Sequence, residues 1–227
     1  MSRIKPMGVV LSVNVGRPLL KLWRGRPTST AIFKTPVEGR IMARREGLEG
    51  DQQSDRSVHG GPDKAVYVYP SEHYDAWRAE LPGVELPWGA FGENLSISGG
   101  WREDGIRIGD RFRIGDAEFE VSQPRLPCFK LNLRFDRPDM VKRMLSSGRF
   151  GFYFRVRSEG KIGAGDAVAR IGRSDWDLTI SEAARAMAID KEDGDLIRRA
   201  ADVEALPDDW RAEFRGRLDR MGGTGAP

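Results

Sequence analysis

The chain has 227 residues, a net charge of +3 at pH 7, and charged side chains at 31% of its positions. Its length allows one large domain with a small appendage, and its composition is that of a folded globular protein. The mild basicity, without a block of Lys and Arg, argues against stable nucleic-acid binding. No apolar run reaches the roughly 20 residues of a membrane span, and no signal core is present. We therefore expect a reduced, cytoplasmic protein without a membrane attachment.

Short apolar segments separated by turns predict β-strands over most of the first 171 residues. These segments are 8–14, 30–34, 39–43, 65–69, 111–114, 118–121, 153–157 and 167–171. Gly115-Asp116, between two of them, predicts a hairpin turn. Many short strands with frequent glycine are typical of a β-barrel or β-sandwich.

Helical patterns interrupt the strands twice and then dominate the last part of the chain. Two helices are predicted over 71–81, with Ser71 as the N-cap, and over 138–147. Three short helices are predicted over 180–189, 196–203 and 210–218, the first capped by Thr179 or Ser181. We therefore predict a mainly β fold with some α. Its parts are a barrel-like β domain over 1–172, a three-helix module over 173–222 and a flexible tail over 223–227.

Cys128 is the only cysteine of the chain, and it lies in the segment Gln123-Pro124-Arg125-Leu126-Pro127-Cys128-Phe129-Lys130. A lone cysteine forms no disulfide within the chain and builds no zinc or iron–sulfur site by itself, because those sites need several thiolates. The neighbouring Arg125 and Lys130 favour the thiolate, and the two prolines favour an extended loop. Three roles stay open: a small buried apolar residue, a nucleophile, or a single thiolate ligand to a metal carried by a cofactor.

Two glycine-rich polar segments are candidates for ligand binding. The segment 47–64 contains His59 and Lys64, and its glycines let a ligand approach the backbone closely. The segment 89–95 contains Asn94, whose amide offers both a donor and an acceptor to a heterocycle. An ordinary surface loop and a strand-entry turn are the structural alternatives. A multi-histidine metal site is excluded, because the chain has two histidines.

Helix ends provide two further candidates for anion binding. Ser71, at a predicted helix start, offers a hydroxyl group and free backbone N–H groups. Arg149 follows the predicted end of the helix over 138–147, where it either reaches an anion or caps the helix. Asp51 and Asp55 lie on a loop that fixes no geometry, so their spacing does not indicate hydrolysis. The chain has no dinucleotide or flavin fingerprint of its own.

These segments, in this order, resemble the MOSC family, which is named for the C-terminal domain of molybdenum cofactor sulfurase, and within it the stand-alone YiiM-like branch. The resemblance covers residues 8–171, and the three helices beyond it resemble the small module that often follows in this branch. The segments that carry it are Glu49-Gly50-Asp51, Asp55, 58–66, 92–95, 108–110, 122–125, Pro127-Cys128, 130–132, and 147–149 with Gly151.

The resemblance implies a barrel-like fold that binds the molybdenum cofactor, a molybdenum–pterin dithiolene with a phosphate tail. In the oxidoreductases of the family a single cysteine sulfur ligates molybdenum, and Cys128 is the matching position. Charge and helix-end chemistry then assign Ser71, Arg125 and Arg149 to the phosphate or pterin. Further candidates to line the pocket are His59, Lys64, Asn94 and Asn132.

The resemblance also implies an activity. Relatives of this kind reduce N-hydroxylated purine bases and hydroxylamines to the amines, a detoxification that consumes two electrons and two protons and releases water. One cysteine cannot hold an iron–sulfur cluster, so we expect electrons from a separate reductase that docks transiently near the cofactor.

The alternative is a cofactor-binding or sulfur-carrier module that holds a persulfide on Cys128 without turnover of its own. No segment resembles the desulfurase half of full sulfurases, so we expect function to be independent of pyridoxal phosphate.

Overall fold

Seven β-strands close into a barrel in the computed structural model, which describes residues 5–54 and 60–222. The described residues contain thirteen strands in all, which are β1 (Gly8–Val15), β2 (Leu19–Trp23), β3 (Arg26–Thr30), β4 (Thr35–Pro36), β5 (Arg40–Arg44), β6 (Gly47–Leu48), β7 (Val66–Pro70), β8 (Leu95–Ser98), β9 (Arg111–Ile114), β10 (Ala117–Pro124), β11 (Phe152–Ser158), β12 (Gly160–Gly163) and β13 (Ala167–Gly172). The barrel order is β13-β9-β10-β11-β7-β8-β1, and β1 pairs with β13 to close it. Neighbouring barrel strands are antiparallel except β7 and β8, which are parallel.

The remaining strands lie outside the barrel. β12, β5 and β6 form a three-stranded sheet, β2 and β3 form a separate hairpin, and β4 pairs with the end of β1. The predicted barrel is therefore confirmed, and so is the hairpin turn at Gly115-Asp116, which joins β9 to β10.

Six α-helices accompany the strands in the described part of the chain. They are α1 (Glu72–Glu80), α2 (Phe129–Phe135), α3 (Met140–Ser147), α4 (Ile180–Ala184), α5 (Gly194–Ala201) and α6 (Asp208–Gly222), and a π-helical turn over Arg185–Ile189 extends α4. Thr179 caps α4 as predicted: its hydroxyl accepts a hydrogen bond from Glu182 N at 3.2 Å, and Glu182 Oε2 accepts one from Thr179 N at 2.9 Å. No helix within these ranges has the length and apolar character to cross a membrane.

Two local predictions were wrong. Residues 31–34 do not form a strand, because the backbone turns after β3: Ile32 N donates to Thr30 Oγ1 at 3.2 Å, and Lys34 N donates to Ile32 O at 3.0 Å. Phe129 and Lys130, expected to belong to an extended loop, begin α2 instead. Pro127 lies just before the residue that starts this helix, so its ring removes none of the helical hydrogen bonds. The predicted tail, 223–227, lies outside the described residues.

The barrel and the C-terminal helices share one apolar core. Phe112, Phe119 and Phe154 fill the barrel, and Trp210 and Phe214 of α6 belong to the same buried cluster. A second, aromatic cluster packs α1, α2 and α3 against the outside of the barrel. Its largest fully buried members are Tyr69, Tyr74, Trp77, Phe91 and Phe150. The pocket described below lies beside this second cluster.

We expect Phe214→Ala to lower the free energy of unfolding by about 3–5 kcal/mol, because it leaves a cavity in the core that the helices and the barrel share. Urea denaturation followed by circular dichroism measures this change. Arg215→Ala, at an exposed position of the same helix, is the matched control and should change stability by less than about 0.5 kcal/mol. Equal, small effects of both substitutions would contradict a shared core.

Candidate functional site

A pocket opens beside the barrel where the ends of several strands meet two loops. Tyr67 lines it from β7 and Tyr153 from β11. Arg125, the first residue after β10, also lines it. The space between atoms is about 670 Å³, including the open mouth. Tyr67 and Tyr153 are paired across β7 and β11, with ring centroids 5.4 Å apart. Strand register thus fixes one wall of the pocket.

Cys128 lines this pocket and is half-buried. Its backbone is extended, with φ −125° and ψ 172°, and its carbonyl accepts a hydrogen bond from Leu131 N at 2.9 Å. The extended conformation predicted from Pro124 and Pro127 therefore holds up to Cys128, where α2 begins. The chain places its only thiol at the junction between a fixed loop and a helix.

Arg125 is a buried cation, with 6% of its surface exposed. Its guanidinium lies 5.3 Å from the ring centroid of Tyr67, and Nη1 is 3.6 Å from Met144 Sδ. Burial alone would lower the pKa of Arg125, but the acidic groups of Tyr67, Cys128 and Tyr153 outweigh it and raise the pKa. Within residues 5–54 and 60–222 no carboxylate forms an ion pair with this guanidinium. A buried charge without an ionic partner is costly, so this position favours a bound anion.

The charge of the pocket is strongly unbalanced. Among the described lining residues four are cationic, namely Lys34, Lys64, Arg125 and Lys130, and Asp51 is the only carboxylate. Lys130 Nζ donates to Ser54 Oγ at 3.1 Å, which holds the lysine across the mouth of the pocket. The excess of positive charge makes the pocket suitable for an anionic ligand.

Asp51 connects three separate parts of the chain at the pocket wall. Its Oδ1 accepts hydrogen bonds from Gly16 N at 2.7 Å and from Lys34 Nζ, and its Oδ2 accepts one from Asn94 Nδ2 at 2.8 Å. Both side chains of the ion pair are buried, and burial lowers the pKa of Lys34 against the opposing effect of Asp51. Asn94 Oδ1 in turn accepts from Tyr67 N at 3.0 Å. The network fixes the position of the wall relative to β7.

Glu93, next to Asn94, holds the segment that precedes β8. Its fully buried carboxylate accepts hydrogen bonds from Gly89 N and Ser96 Oγ, each at 2.8 Å, from Phe91 N at 3.1 Å, and from the Tyr74 hydroxyl. Burial raises the pKa of Glu93. Its role is therefore structural: it closes the turn that presents Asn94 to the pocket.

Gly92 allows the loop after β3 to approach this turn. Its φ is +83°, and a Cβ atom there would lie 2.7 Å from Cγ1 of Ile32. The glycine predicted as part of a binding segment is thus required both by backbone conformation and by close packing of the pocket wall.

Three predicted site residues do not line the pocket around Cys128. Ser71 precedes α1, and its Oγ lies 3.5 Å from Glu72 Oε2, to which it donates. Asn132 lies on α2, and its Oδ1 accepts a hydrogen bond from Val141 N at 2.9 Å. This bond gives a partner to a backbone N–H group in the first turn of α3. His59 lies outside the described residues.

Arg149, like Ser71 and Asn132, does not line the pocket, and it packs on the aromatic cluster. Its guanidinium lies 4.2 Å from the ring centroid of Trp77 and forms an ion pair with Glu80, while Nη1 is buried without a hydrogen-bond partner among the described residues. The structure therefore brings together Lys64, Asn94, Arg125 and Cys128 of the predicted set.

Sequence reasoning missed several residues of the pocket. Tyr67 and Tyr153 were assigned only to predicted strands, and Lys34 only to a strand that does not form. Strand alternation places a tyrosine on one face of a sheet, but the pairing of β7 with β11 is a long-range contact that a single sequence does not reveal. Lys130 was noted as a neighbour of Cys128, but only for its charge.

Replacing Asp51 should destabilise the protein far more than replacing an exposed carboxylate. We expect Asp51→Ala to lower the free energy of unfolding by about 3–5 kcal/mol, because Lys34 is left buried and unpaired. Asp104→Ala, which breaks an exposed ion pair with Arg102, should change it by less than about 1 kcal/mol. Urea unfolding of the two variants measures the difference. Adding Lys34→Met to Asp51→Ala should recover part of the loss, and no recovery would show that the buried charge is not its cause.

Comparison with known proteins agrees with this architecture. Residues 55–169 match the MOSC domain, and residues 178–220 match the YiiM-like, 3-alpha helix domain. The chain is 41% identical over 212 residues to the Bacillus subtilis protein YflK, covering 93% of this chain and 95% of that protein. It superposes on the crystal structure of YiiM from Geobacillus stearothermophilus with a TM-score of 0.78 at 34% identity, covering 93% of this chain and 99% of that one.

A fungal relative carries a name that describes an activity. A Gibberella moniliformis protein named as a reductase is 39% identical over 169 residues, which are 73% of this chain and 30% of that longer protein. The matched segments, the relatives and the superposition together show that the chain belongs to the MOSC family, in its YiiM-like branch.

Proposed function

We propose that this chain is a molybdenum-cofactor-dependent oxidoreductase that reduces N-hydroxylated compounds, such as N-hydroxylated purine bases and hydroxylamines, to the amines. The observation that carries the proposal is the pocket in which the only thiol of the chain stands beside a buried Arg125. The family is named for the molybdenum cofactor sulfurase, and the reductase name of the fungal relative supports redox chemistry. Electrons come from a separate reductase.

The side chains of the pocket fit the molybdenum cofactor, which is an anion with a phosphate tail. Arg125 lacks a carboxylate partner within the described ranges, and a phosphate or a pterin oxygen would supply one. Lys64 and Lys130 add positive charge at the same pocket. A single thiolate at Cys128 is a soft ligand of the kind that suits molybdenum. In our proposal Cys128 holds the metal, and these cations hold the rest of the cofactor.

The bound cofactor supplies the two-electron chemistry that removes oxygen from nitrogen. Overall, R–NHOH, two electrons and two protons give R–NH2 and water. Arg125 favours the thiolate form of Cys128, because a cation beside a thiol stabilises its anion. The same cation offsets the negative charge that the cofactor brings into the pocket.

Two side chains of the pocket have protonation states that suit the reaction. Burial raises the pKa of Tyr153, so its phenol stays protonated and can donate a hydrogen bond to the oxygen that leaves nitrogen, whereas the Tyr67 hydroxyl already donates to Phe150 O at 2.9 Å. Burial lowers the pKa of Lys34, which makes its ammonium group a better proton donor than an exposed lysine. We assign to Lys34 the supply of a proton for the water that is released.

Cys128→Ala should remove both molybdenum and turnover while leaving the fold intact. The measurements are metal content after expression in a host that makes the cofactor, and reduction of an N-hydroxylated purine with dithionite-reduced methyl viologen. Near-stoichiometric molybdenum in the wild type that is lost in the variant is the expected result. Normal turnover by Cys128→Ala would contradict the ligand assignment. A folded, molybdenum-free wild type with a persulfide on Cys128 would support a sulfur carrier instead.

Arg125→Met should weaken cofactor binding without lowering the stability of the cofactor-free protein. We expect at least a tenfold loss of bound cofactor, because the anion loses its buried ionic partner. The free energy of unfolding of the cofactor-free protein should stay the same or increase, since the variant removes a buried cation that has no carboxylate partner in the described part of the chain. Pterin fluorescence after denaturation measures the first quantity and urea unfolding the second. Arg102→Met, at an exposed ion pair, is the control and should retain its cofactor.

A further inference from the structure

The hairpin of β2 and β3 carries an uncovered apolar face. Its two strands pair with each other and with no other described strand. Leu20 and Leu22 are 73% and 74% exposed, and they share one face because alternate residues of a strand point the same way. Pro27, which stands opposite Leu22, is also exposed and extends this face. Burying such side chains is favourable, so a surface that leaves them in water favours a partner.

The opposite face of the hairpin is partly covered by the rest of the chain, although Leu19 on this face is 44% exposed. Lys21 Nζ lies 5.3 Å from the ring centroid of Phe33, and Thr28, directly across from Lys21, is half-buried. Thr30, at the base of the hairpin, is fully buried. The two faces are therefore distinct, and the one with Leu20 and Leu22 points away from the rest of the chain.

Positive charge is concentrated on the hairpin as a whole. Arg17, Lys21, Arg24 and Arg26 belong to the hairpin and its approach, and the sequence has no Asp or Glu from Val15 to Val37. None of the four forms an ion pair with a residue that the structure describes. These four charges exceed the net charge of the whole chain, which is +3. The hairpin is thus the source of a local positive field, and the exposed side chains of Leu20 and Leu22 lie within it.

The hairpin also adjoins the cofactor pocket. The chain leaves β3 at Thr30 and runs directly through Ala31 and Ile32, and all three residues line the pocket that contains Cys128. The base of the hairpin is therefore continuous with the wall of that pocket.

We propose that this hairpin is the docking surface for the electron-donating protein, and that the donor presents carboxylates around a small apolar centre. The identity of the partner as an electron donor rests on the function proposed above, whereas the chemistry of its surface follows from the hairpin itself. Weak redox complexes have small interfaces, below about 1,200 Å², which a two-stranded hairpin can supply. Opposite charges accelerate their encounter and make it sensitive to salt.

The test compares two pairs of charge reversals in the cofactor-loaded protein. Arg17→Glu with Arg26→Glu alters the hairpin, and Lys191→Glu with Arg215→Glu makes the same change of net charge at exposed positions of the C-terminal module. The probe is an acidic [2Fe–2S] ferredoxin with its NADPH-dependent reductase. The readouts are the dissociation constant of ferredoxin by calorimetry, its KM in turnover, and turnover with dithionite-reduced methyl viologen.

We expect the hairpin pair to raise the dissociation constant and the KM about tenfold or more and to flatten their dependence on salt. The control pair should change them by less than about threefold, because Lys191 and Arg215 lie outside the proposed surface. Turnover with dithionite-reduced methyl viologen should be unchanged in both the hairpin pair and the control pair. Leu20→Ser with Leu22→Ser should also weaken ferredoxin binding but should keep the salt dependence, since it removes apolar contact and no charge.

Equal effects of the hairpin and control pairs would overturn the proposal, and so would a wild type that binds neither acidic ferredoxin nor acidic flavodoxin. If Leu20→Ser with Leu22→Ser instead abolishes a dimer, or abolishes binding to phosphatidylglycerol–phosphatidylcholine vesicles, without affecting ferredoxin, the face belongs to a second copy or to a membrane. Failure of the proposed function is a different result: ferredoxin binds through the hairpin, but the wild type shows no turnover with either reductant.

Discussion

The carboxylate of Asp51 is the interaction on which the candidate site depends. It accepts hydrogen bonds from Gly16 N, Lys34 Nζ and Asn94 Nδ2, which come from three separate stretches of chain. Asn94 then fixes the backbone of β7 at Tyr67, so one buried acid determines where the wall of the pocket stands. Because an unpaired buried charge is costly, the loss of Lys34 or Asp51 from this network is expected to destabilise the whole wall.

The pairing of this carboxylate also explains the excess of positive charge in the pocket. Asp51 is engaged with Lys34, and no other carboxylate among the described residues lines the pocket. Arg125, Lys64 and Lys130 therefore stand in a positive enclosure beside Cys128. A pocket prepared in this way uses the charge of its ligand to stabilise the folded protein, since ligand binding favours the native state. Cofactor binding and stability are expected to be coupled here through Arg125.

Much of the fold was predictable, because it depends on local patterns. Short strands with frequent glycine predicted a barrel or a sandwich, the family resemblance favoured the barrel, and Thr179 was one of two predicted caps at the start of the C-terminal helices. The site was predictable where a motif marks it, as at Cys128, Arg125 and Asn94. It was not predictable where position depends on long-range pairing, as for Tyr67 opposite Tyr153, or where a side chain serves a neighbouring helix, as Asn132 does at the start of α3. Helix α2 was missed because the prolines before it favour an extended chain, and they act only up to Cys128.

The central claim is that Cys128 ligates molybdenum in this pocket. X-ray absorption at the molybdenum edge of the purified wild-type protein, made in a host that supplies the cofactor, tests it most directly. We expect one more sulfur ligand around molybdenum than the pterin dithiolene alone provides, with the extra sulfur coming from the thiolate. A sulfur count that the dithiolene alone explains, in protein that carries near-stoichiometric molybdenum, would contradict it.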